Sequence, residues 1–346
     1  MSVDFDIARL ADYLKATLGL DATTLQLQRT EGGMSNPTYF VRCGDWRAVL
    51  RKQPGSVLLP SAHAIDREYR VLSALQGSDV PVPKPLHYCS DSEVLGTPFY
   101  LMEWLQGRVF HEFSTAGLRP DERSALYESM GATMAAIHRL DITALGLADY
   151  GRSGNYFARQ LKRWSAQWAT FRRGDDDNPA LDAIVAWLAE RVPESELQTL
   201  CHGDFRIGNM MFHATEPRVI AVLDWELSTL GHPMADFAYH AMAWDMPTGE
   251  WRGLAGLDLA TLGIPSAQAY VARYCERVGV DVPARATWDF YVAYNLFRGA
   301  AISQGIMRRA LDGSASSTHA FEAGRRARSV AEAGWARAEG RGQTPN

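Results

Sequence analysis

Apolar residues change their period several times along the first third of the chain. Phe5, Ile7, Leu10, Leu14 and Leu18 recur at helical spacing and stop at Gly19, which predicts a short amphipathic helix over 4–18. Leu25 and Leu27 then alternate with polar neighbours, 38–43 is rich in strand formers, Cys43-Gly44-Asp45 makes a turn, and 46–51 resumes the extended pattern. Ile65, Tyr69, Leu72 and Leu75 share one face of a helix expected over 61–76, with Gly77 just beyond it. A proline-rich piece leads to two more expected strands, 86–89 and 99–104. Beyond Gly107 long helical periods take over, at 120–140, 156–171, 180–191, 236–243, 267–278 and 288–310. Only Cys201, 210–213 and 219–223 read as strands in that stretch. The pattern is α+β, with a small sheet-bearing unit over 1–104 and a larger, mainly helical one over 105–346.

Composition adds exclusions. With 346 residues, 47% hydrophobic and 22% charged, the chain can bury a sizeable core and has room for two units at roughly 100–200 residues each. Thirty-five Lys and Arg against forty Asp and Glu leave a net charge of −5, which speaks against a dedicated nucleic-acid binder. None of the lysines (Lys15, Lys52, Lys84, Lys162) follows a glycine, so the Gly-Lys-Ser/Thr phosphate loop is absent. Cys43, Cys89, Cys201 and Cys275 are widely spaced, and Asp4, Asp6 and Asp12 stand where a signal peptide needs positive charge. A cytoplasmic location with no membrane span is expected.

The sharpest chemical signal is His202-Gly203-Asp204-Phe205-Arg206-Ile207-Gly208-Asn209, followed by a short apolar hairpin that ends in Asp224-Trp225-Glu226. An Asp, an Asn five positions on, and a second Asp after the hairpin form a compact set of hard oxygen ligands. Magnesium takes such ligands together with phosphate oxygens, so Asn209 and Asp224 are candidates to hold a metal–nucleotide while Asp204 faces an incoming hydroxyl. Read singly, each of these residues is an ordinary turn or cap residue; the spacing of the three together carries the signal.

These residues resemble the aminoglycoside phosphotransferase and choline kinase superfamily, relatives of the protein kinases, and the resemblance covers nearly the whole chain. It implies a two-lobed protein-kinase-like fold and an ATP- and Mg²⁺-dependent phosphotransferase, with Asp204, Asn209 and Asp224 as the catalytic and metal-binding set. Gly231-His232-Pro233-Met234-Ala235-Asp236 is similar to the family's Gly-Asp-Pro-x-x-Asp, with His232 in place of the usual Asp; Asp236 is expected as a helix N-cap or a buttress of the loop. Glu31-Gly32-Gly33-Met34-Ser35-Asn36 is similar to the nucleotide loop, which implies cofactor contacts at Gly32, Gly33 and Ser35. The position that contacts the α- and β-phosphates falls on Arg51, with Glu68 as its helix partner. Strand alternation sends Arg51 and Lys52 to opposite faces, so one of them alone points into the cleft; Arg51 is the expected one and Lys52 the alternative. The backbone around Glu103 and Leu105 stands where adenine would bind.

Asp224 and Asp236 are twelve positions apart, too close for a peptide-docking segment, so a small-molecule hydroxyl acceptor is expected. Within the superfamily the chain resembles the kinase-like domains associated with acyl-CoA dehydrogenases, through 49–52, 59–70, 99–103, 107–110 and Tyr291-x-x-x-Asn295-Leu296-Phe297-Arg298. That resemblance implies a hydroxyacyl-CoA thioester as acceptor and a functional link to an acyl-CoA dehydrogenase. An aminoglycoside acceptor and a catalytically silent nucleotide-binding scaffold stand as alternatives. Asp289, Tyr294, Asn295, Arg298 and Gln304, on the helix that in this family lines the acceptor cleft, are candidate acceptor contacts. The basic and aromatic stretch 155–173 reads either as a phosphate- and adenine-binding face or as an amphipathic helix with a solvated basic side.

Overall fold

The computed structural model describes residues 3–30, 36–55, 65–172, 178–195, 197–250, 252–311 and 318–341. Helix α1 (Ile7–Leu18) opens on Asp6, whose carboxylate accepts the N–H of Ala8, and closes on Gly19 in the left-handed conformation. Its buried Leu10 and Leu14 lie one turn apart and pack with Tyr39, Val41, Ala48, Leu50, Phe99 and Leu101. Those residues form one face of a five-stranded antiparallel sheet made of β1 (Gln26–Arg29), β2 (Thr38–Cys43), β3 (Trp46–Lys52), β4 (Pro85–Cys89) and β5 (Phe99–Glu103), in the order β1-β2-β3-β5-β4. Helix α2 (Ile65–Ala74) crosses between β3 and β4, and a single turn, α3 (Ser92–Leu95), joins β4 to β5. Residues 61–64, where the sequence pattern starts the second helix, lie outside the described residues.

Register decides which strand residues face the rest of the molecule. Phe40 pairs with Val49, Val49 with Met102, and Arg51 with Thr38 and Tyr100, so these share the face opposite α1. Lys52 points the other way, where its ammonium meets Asp4 at 2.9 Å above the Phe5 ring. The alternation argument thus resolves onto Arg51.

The second part consists of α4 (Pro120–His138), α5 (Tyr156–Phe171), α6 (Pro179–Ala189), β6 (Thr199–Cys201), β7 (Met210–Phe212), β8 (Val219–Val222), β9 (Thr229–Gly231), α7 (Pro233–Ala241), α8 (Leu259–Leu262), α9 (Ala267–Val278), α10 (Arg285–Leu311) and α11 (Thr318–Ala338). Its strands form two antiparallel ribbons, β6–β9 and β7–β8. The connection between the parts is pinned where Arg108 and Phe212 exchange backbone hydrogen bonds of 2.8 Å each. A Cβ at Gly107 would lie 2.4 Å from the Phe212 carbonyl oxygen, so only glycine fits this crossing. On α5, Phe157, Leu161 and Trp168 enter the core while Arg159 donates to the carbonyls of Arg152, Ser153 and Gly154. This is the amphipathic alternative for the stretch; Asp175, Asp176 and Asp177 lie outside the described residues.

Helix α11 has no counterpart in the sequence expectations, because its buried stripe is built from Ala327, Val330 and Ala331 rather than from large aliphatics. It packs on α10 and α6 and carries Arg337, which is 1% exposed and bridges Asp245 at 2.9 Å and Asp289 at 2.8 Å. Among the described residues no helix is long and apolar enough to cross a membrane.

Candidate active site

Two ribbon ends deliver the loop that carries Asp204. β6 runs into His202, while the β7–β8 hairpin has Asn209 before its first strand and Leu223-Asp224 after its second. Crossing hydrogen bonds tie them together: Leu223 N–H to Asn209 carbonyl at 2.8 Å, and His202 Nε2 to Leu223 carbonyl at 2.9 Å. Asp236 accepts the N–H of His202 at 2.6 Å and of Gly203 at 2.8 Å. It therefore buttresses the loop. The N-cap of α7 is His232, whose Nδ1 accepts the Met234 N–H, so the capping alternative for Asp236 gives way to a residue four positions earlier. Gly203 has φ +83°, and a Cβ there would lie 2.5 Å from the Leu227 carbonyl oxygen, which leaves glycine as the residue that allows this turn.

Asp204 is held on both oxygens. Tyr239 donates to Oδ1 at 2.5 Å; Asn209 Nδ2 at 2.8 Å and Arg206 Nε at 3.1 Å donate to Oδ2. Burial alone would raise this carboxyl, but Arg206, the Tyr239 hydroxyl and His202 outweigh it and hold the pKa below the ordinary carboxylate range. Asp204 is thus a fixed, ionised acceptor that can orient a hydroxyl and take its proton late. Sequence reasoning missed Tyr239, which lies on α7 thirty-five positions away and has no spacing signal.

Arg51 reaches across from the sheet to a cluster of carboxylates. Its Nε lies 2.9 Å from Glu68, and its NH2 lies 2.5 Å from Asp224 and 3.3 Å from Glu226. Glu68 also accepts the Trp225 N–H at 3.2 Å, and Asn36 donates to Glu226 at 3.1 Å. Burial raises the pKa of Glu68, Arg51 opposes this, and the nearby Asp224 and Glu226 add to the rise. Asp224 sits in the left-handed region at φ 66°, a strain of about 1 kcal/mol that the surrounding bonds sustain. Three carboxylates thus face one guanidinium. Asn209 spends its amide nitrogen on Asp204, at the carbonyl and at Oδ2, so its amide oxygen is turned away from that residue. An excess of negative charge suits a hard divalent cation, and Asp224, with Asn209 tied to the neighbouring Leu223, offers the kind of oxygens Mg²⁺ takes.

On the same sheet face, Phe40 stacks on Trp104 at 4.4 Å, beside Val49 and Met102. Arg42 and Arg47 lie over the Trp104 ring. No side-chain role was expected of these residues, because their shared face appears only once the strands are in register. The N–H of Glu103 is given to the Lys84 carbonyl at 2.8 Å, and Leu105 follows where the chain crosses to the second part. Gly32, Gly33 and Ser35 lie outside the described residues.

The α10 candidates separate. Asp289 is engaged by Arg285 and Arg337, Tyr294 is fully buried against Phe157, and Asn295 donates to the Ala235 and Tyr291 carbonyls. These three lie in the helical core, and spacing alone does not tell a helix's buried face from its cleft face. Gln304 is likewise buried. Arg298 does reach the loop, donating to the Gly203 carbonyl at 2.8 Å with its guanidinium over Tyr239.

His232 caps α7 with a neutral ring, and burial, with His138 nearby, lowers its pKa to about 4. The unfolded chain, with histidine near its ordinary 6.5, binds more protons between those values, so stability falls as pH drops through that window. At pH 5 the loss from this group is about 2 kcal/mol relative to pH 7. His232→Asn keeps a capping oxygen but cannot take the proton; urea unfolding at the two pH values should show a smaller acid loss than in the parent chain. An unchanged acid loss would refute the assignment.

The model of the phosphotransferase enzyme family matches residues 26–291. Acyl-CoA dehydrogenase family member 10 of Mus musculus is 43% identical over 330 residues, which cover 94% of this chain and 30% of that protein. The chain spans less than half the length of such curated relatives, 43% for family member 11 of Rattus norvegicus. A Ralstonia eutropha protein assigned to the aminoglycoside phosphotransferases superposes with TM-score 0.87 at 44% identity, covering 98% of this chain and 100% of that one. The aminoglycoside phosphotransferase APH(4)-Ia, in a ternary complex with AMP-PNP and hygromycin B, shares the fold with TM-score 0.63 at 16% identity, over 95% of this chain and 98% of its own. With a family match over most of its length and a relative of known structure aligned end to end, the chain belongs to the phosphotransferase enzyme family and is a small-molecule kinase of protein-kinase-like, α+β fold.

Proposed function

We propose that the chain transfers the γ-phosphoryl group of ATP to a hydroxyl of a small molecule, with a hydroxyacyl-CoA thioester as the acceptor. The observation that carries the reading is the fixed carboxylate of Asp204, bonded to Asn209, with Asn209 tied through Leu223 to the strand end that bears Asp224. In this reading residues 1–104 bind the nucleotide and 105–346 carry the catalytic and acceptor groups. The base would lie against Phe40, Val49 and Met102 beside the backbone of Glu103 and Leu105, with Gly32, Gly33 and Ser35 at the phosphates. Arg51, oriented by Glu68, would hold the α- and β-phosphates. Bound Mg²⁺, held by Asn209 and Asp224, would neutralise charge on the phosphate oxygens.

The chain's own work is positioning. Asp204 accepts a hydrogen bond from the acceptor hydroxyl and aims its oxygen at the γ-phosphorus. As the new O–P bond forms, the bond to the ADP oxygen breaks, and the hydroxyl proton passes to Asp204 and on to water. A loose transition state asks for little early deprotonation, which suits a carboxylate held below its ordinary pKa.

The names of the acyl-CoA dehydrogenase relatives support the thioester acceptor and a functional link to such a dehydrogenase. The hygromycin B complex of a fold relative supports an antibiotic acceptor as the second reading. An ADP-release assay with Mg·ATP, run separately on hydroxyacyl-CoA esters, aminoglycosides and simple alcohols, tests both. Turnover is expected with the thioesters; turnover with aminoglycosides alone would replace the first reading by the second, and nucleotide binding without turnover on any panel would leave a scaffold.

A further inference from the structure

Beside Asp204 lies a small cavity lined by Phe113, Arg206, Tyr239, Met242, Ala243 and Arg252. Arg206 and Tyr239 are the same residues that hold the Asp204 carboxylate, so the cavity adjoins that carboxylate. Its space of about 10 Å³ is no more than a water needs, so an acceptor group would meet these residues at the cavity's rim.

Two guanidinium groups meet there with too little negative charge to match them. Arg206 uses Nε on Asp204, and its terminal nitrogens have no hydrogen-bond partner among the described residues. Arg252 is half-buried and has neither an ion pair nor a hydrogen bond among the described residues; the carboxylates acting on it, Glu112 and Asp204, stand beyond ion-pair distance. Burial and the like charge of Arg206 both lower its pKa.

The backbone also works to place Arg252. It takes the left-handed conformation, φ 60°, on a tight loop closed by hydrogen bonds from Ala255 N–H to Met246 carbonyl and from Leu254 N–H to Ala243 carbonyl, 2.8 Å each. Of three non-glycine residues with positive φ among those described, Asp224 is a second. Strain of this kind persists where surrounding structure holds it, and it gathers at functional positions.

We infer that Arg206 and Arg252 form a subsite for an anionic group of the acceptor, so that this kinase selects negatively charged hydroxy compounds and disfavours polycationic ones. Phe113, Met242 and Ala243 supply an apolar wall for the carbons next to that group. Guanidinium groups pair with carboxylate and phosphate oxygens through charge-assisted hydrogen bonds, and both anions fit this description. The inference rests on the phosphotransferase reading, which places the acceptor hydroxyl at Asp204.

The test is calorimetric titration of the full chain loaded with Mg·AMP-PNP, using hydroxybutyrate, hydroxybutyryl-CoA, butanediol and kanamycin. At least one anionic probe is expected to bind tenfold or more tightly than butanediol and kanamycin. Binding by hydroxybutyrate itself assigns the anion as a carboxylate; binding by the CoA ester alone assigns it as a phosphate. Arg252→Gln should weaken the anionic probe at least tenfold, and Arg252→Lys, which keeps the charge, should recover most of the loss. Anion binding that stays within twofold in Arg252→Gln, no anion binding at all, or preference for kanamycin overturns the subsite. ADP release in the parent chain and in Asp204→Asn is read from the same preparations. An Arg252-dependent anion site with ADP release indifferent to Asp204 would sink the phosphotransferase reading and leave the subsite standing; the reverse pattern would do the opposite.

Discussion

Asp204→Asn should lower kcat by about 10³-fold while changing nucleotide affinity by no more than about threefold. The carboxylate accepts from Tyr239 on one oxygen and from Asn209 and Arg206 on the other. An amide can turn its oxygen to the Asn209 and Arg206 donors and its NH₂ to the Tyr239 hydroxyl, whose oxygen accepts, so the side chain keeps its place but carries no charge and no free basic oxygen. The variant therefore loses the anionic acceptor that would orient the hydroxyl and take its proton, and such positioning can be worth several kcal/mol of barrier. Arg51 and Asp224, the proposed nucleotide and metal contacts, are untouched by the change. ADP release under saturating acceptor, paired with titration of a non-hydrolysable ATP analogue, separates the two effects. Turnover within tenfold of the parent chain would remove Asp204 from its role.

Arg51→Met should destabilise the protein by about 3 kcal/mol and weaken ATP binding severely. The guanidinium is shared by Glu68, Asp224 and Glu226, and the side chain of Glu68 is 2% exposed. Removing it leaves a carboxylate without its counter-charge in a site where burial already disfavours ionisation, and such a break costs several times what the intact pair contributes. The double variant Arg51→Met with Glu68→Leu removes both charges and should recover most of the stability but none of the ATP affinity. Urea unfolding alongside nucleotide titration reads both quantities. A single variant that loses less than about 1 kcal/mol and still binds ATP would show that this pair neither holds the lobes nor the phosphates.

How much of this was legible in the sequence depended on distance along the chain. The set Asp204, Asn209 and Asp224 could be read because one loop and one hairpin carry it, so spacing already encodes proximity. The two-residue period of a strand meant that only one of Arg51 and Lys52 could face the cleft, and the family resemblance pointed to Arg51. Tyr239, Arg252 and the Phe40–Trp104 stack were illegible because each comes into the site through tertiary packing. The burial of Asp289, Tyr294 and Asn295 was illegible for a related reason: α10 is polar and apolar on mixed faces, and packing against α5, α7 and α11 decides which residues look inward. The α11 stripe of alanines and β9, three residues long, were too faint to register.

The buried Arg337 also sets an order in time. A ribosome makes Asp245 and Asp289 well before the cation they share, because that cation sits near the end of α11. The packing of α1 on its face of the sheet involves only residues within the first 103, so it can complete while the rest is still being translated. The helical lobe must wait. Until α11 emerges, those two carboxylates lack the arginine that joins them, so the helical part closes these buried ion pairs only after α11 is made.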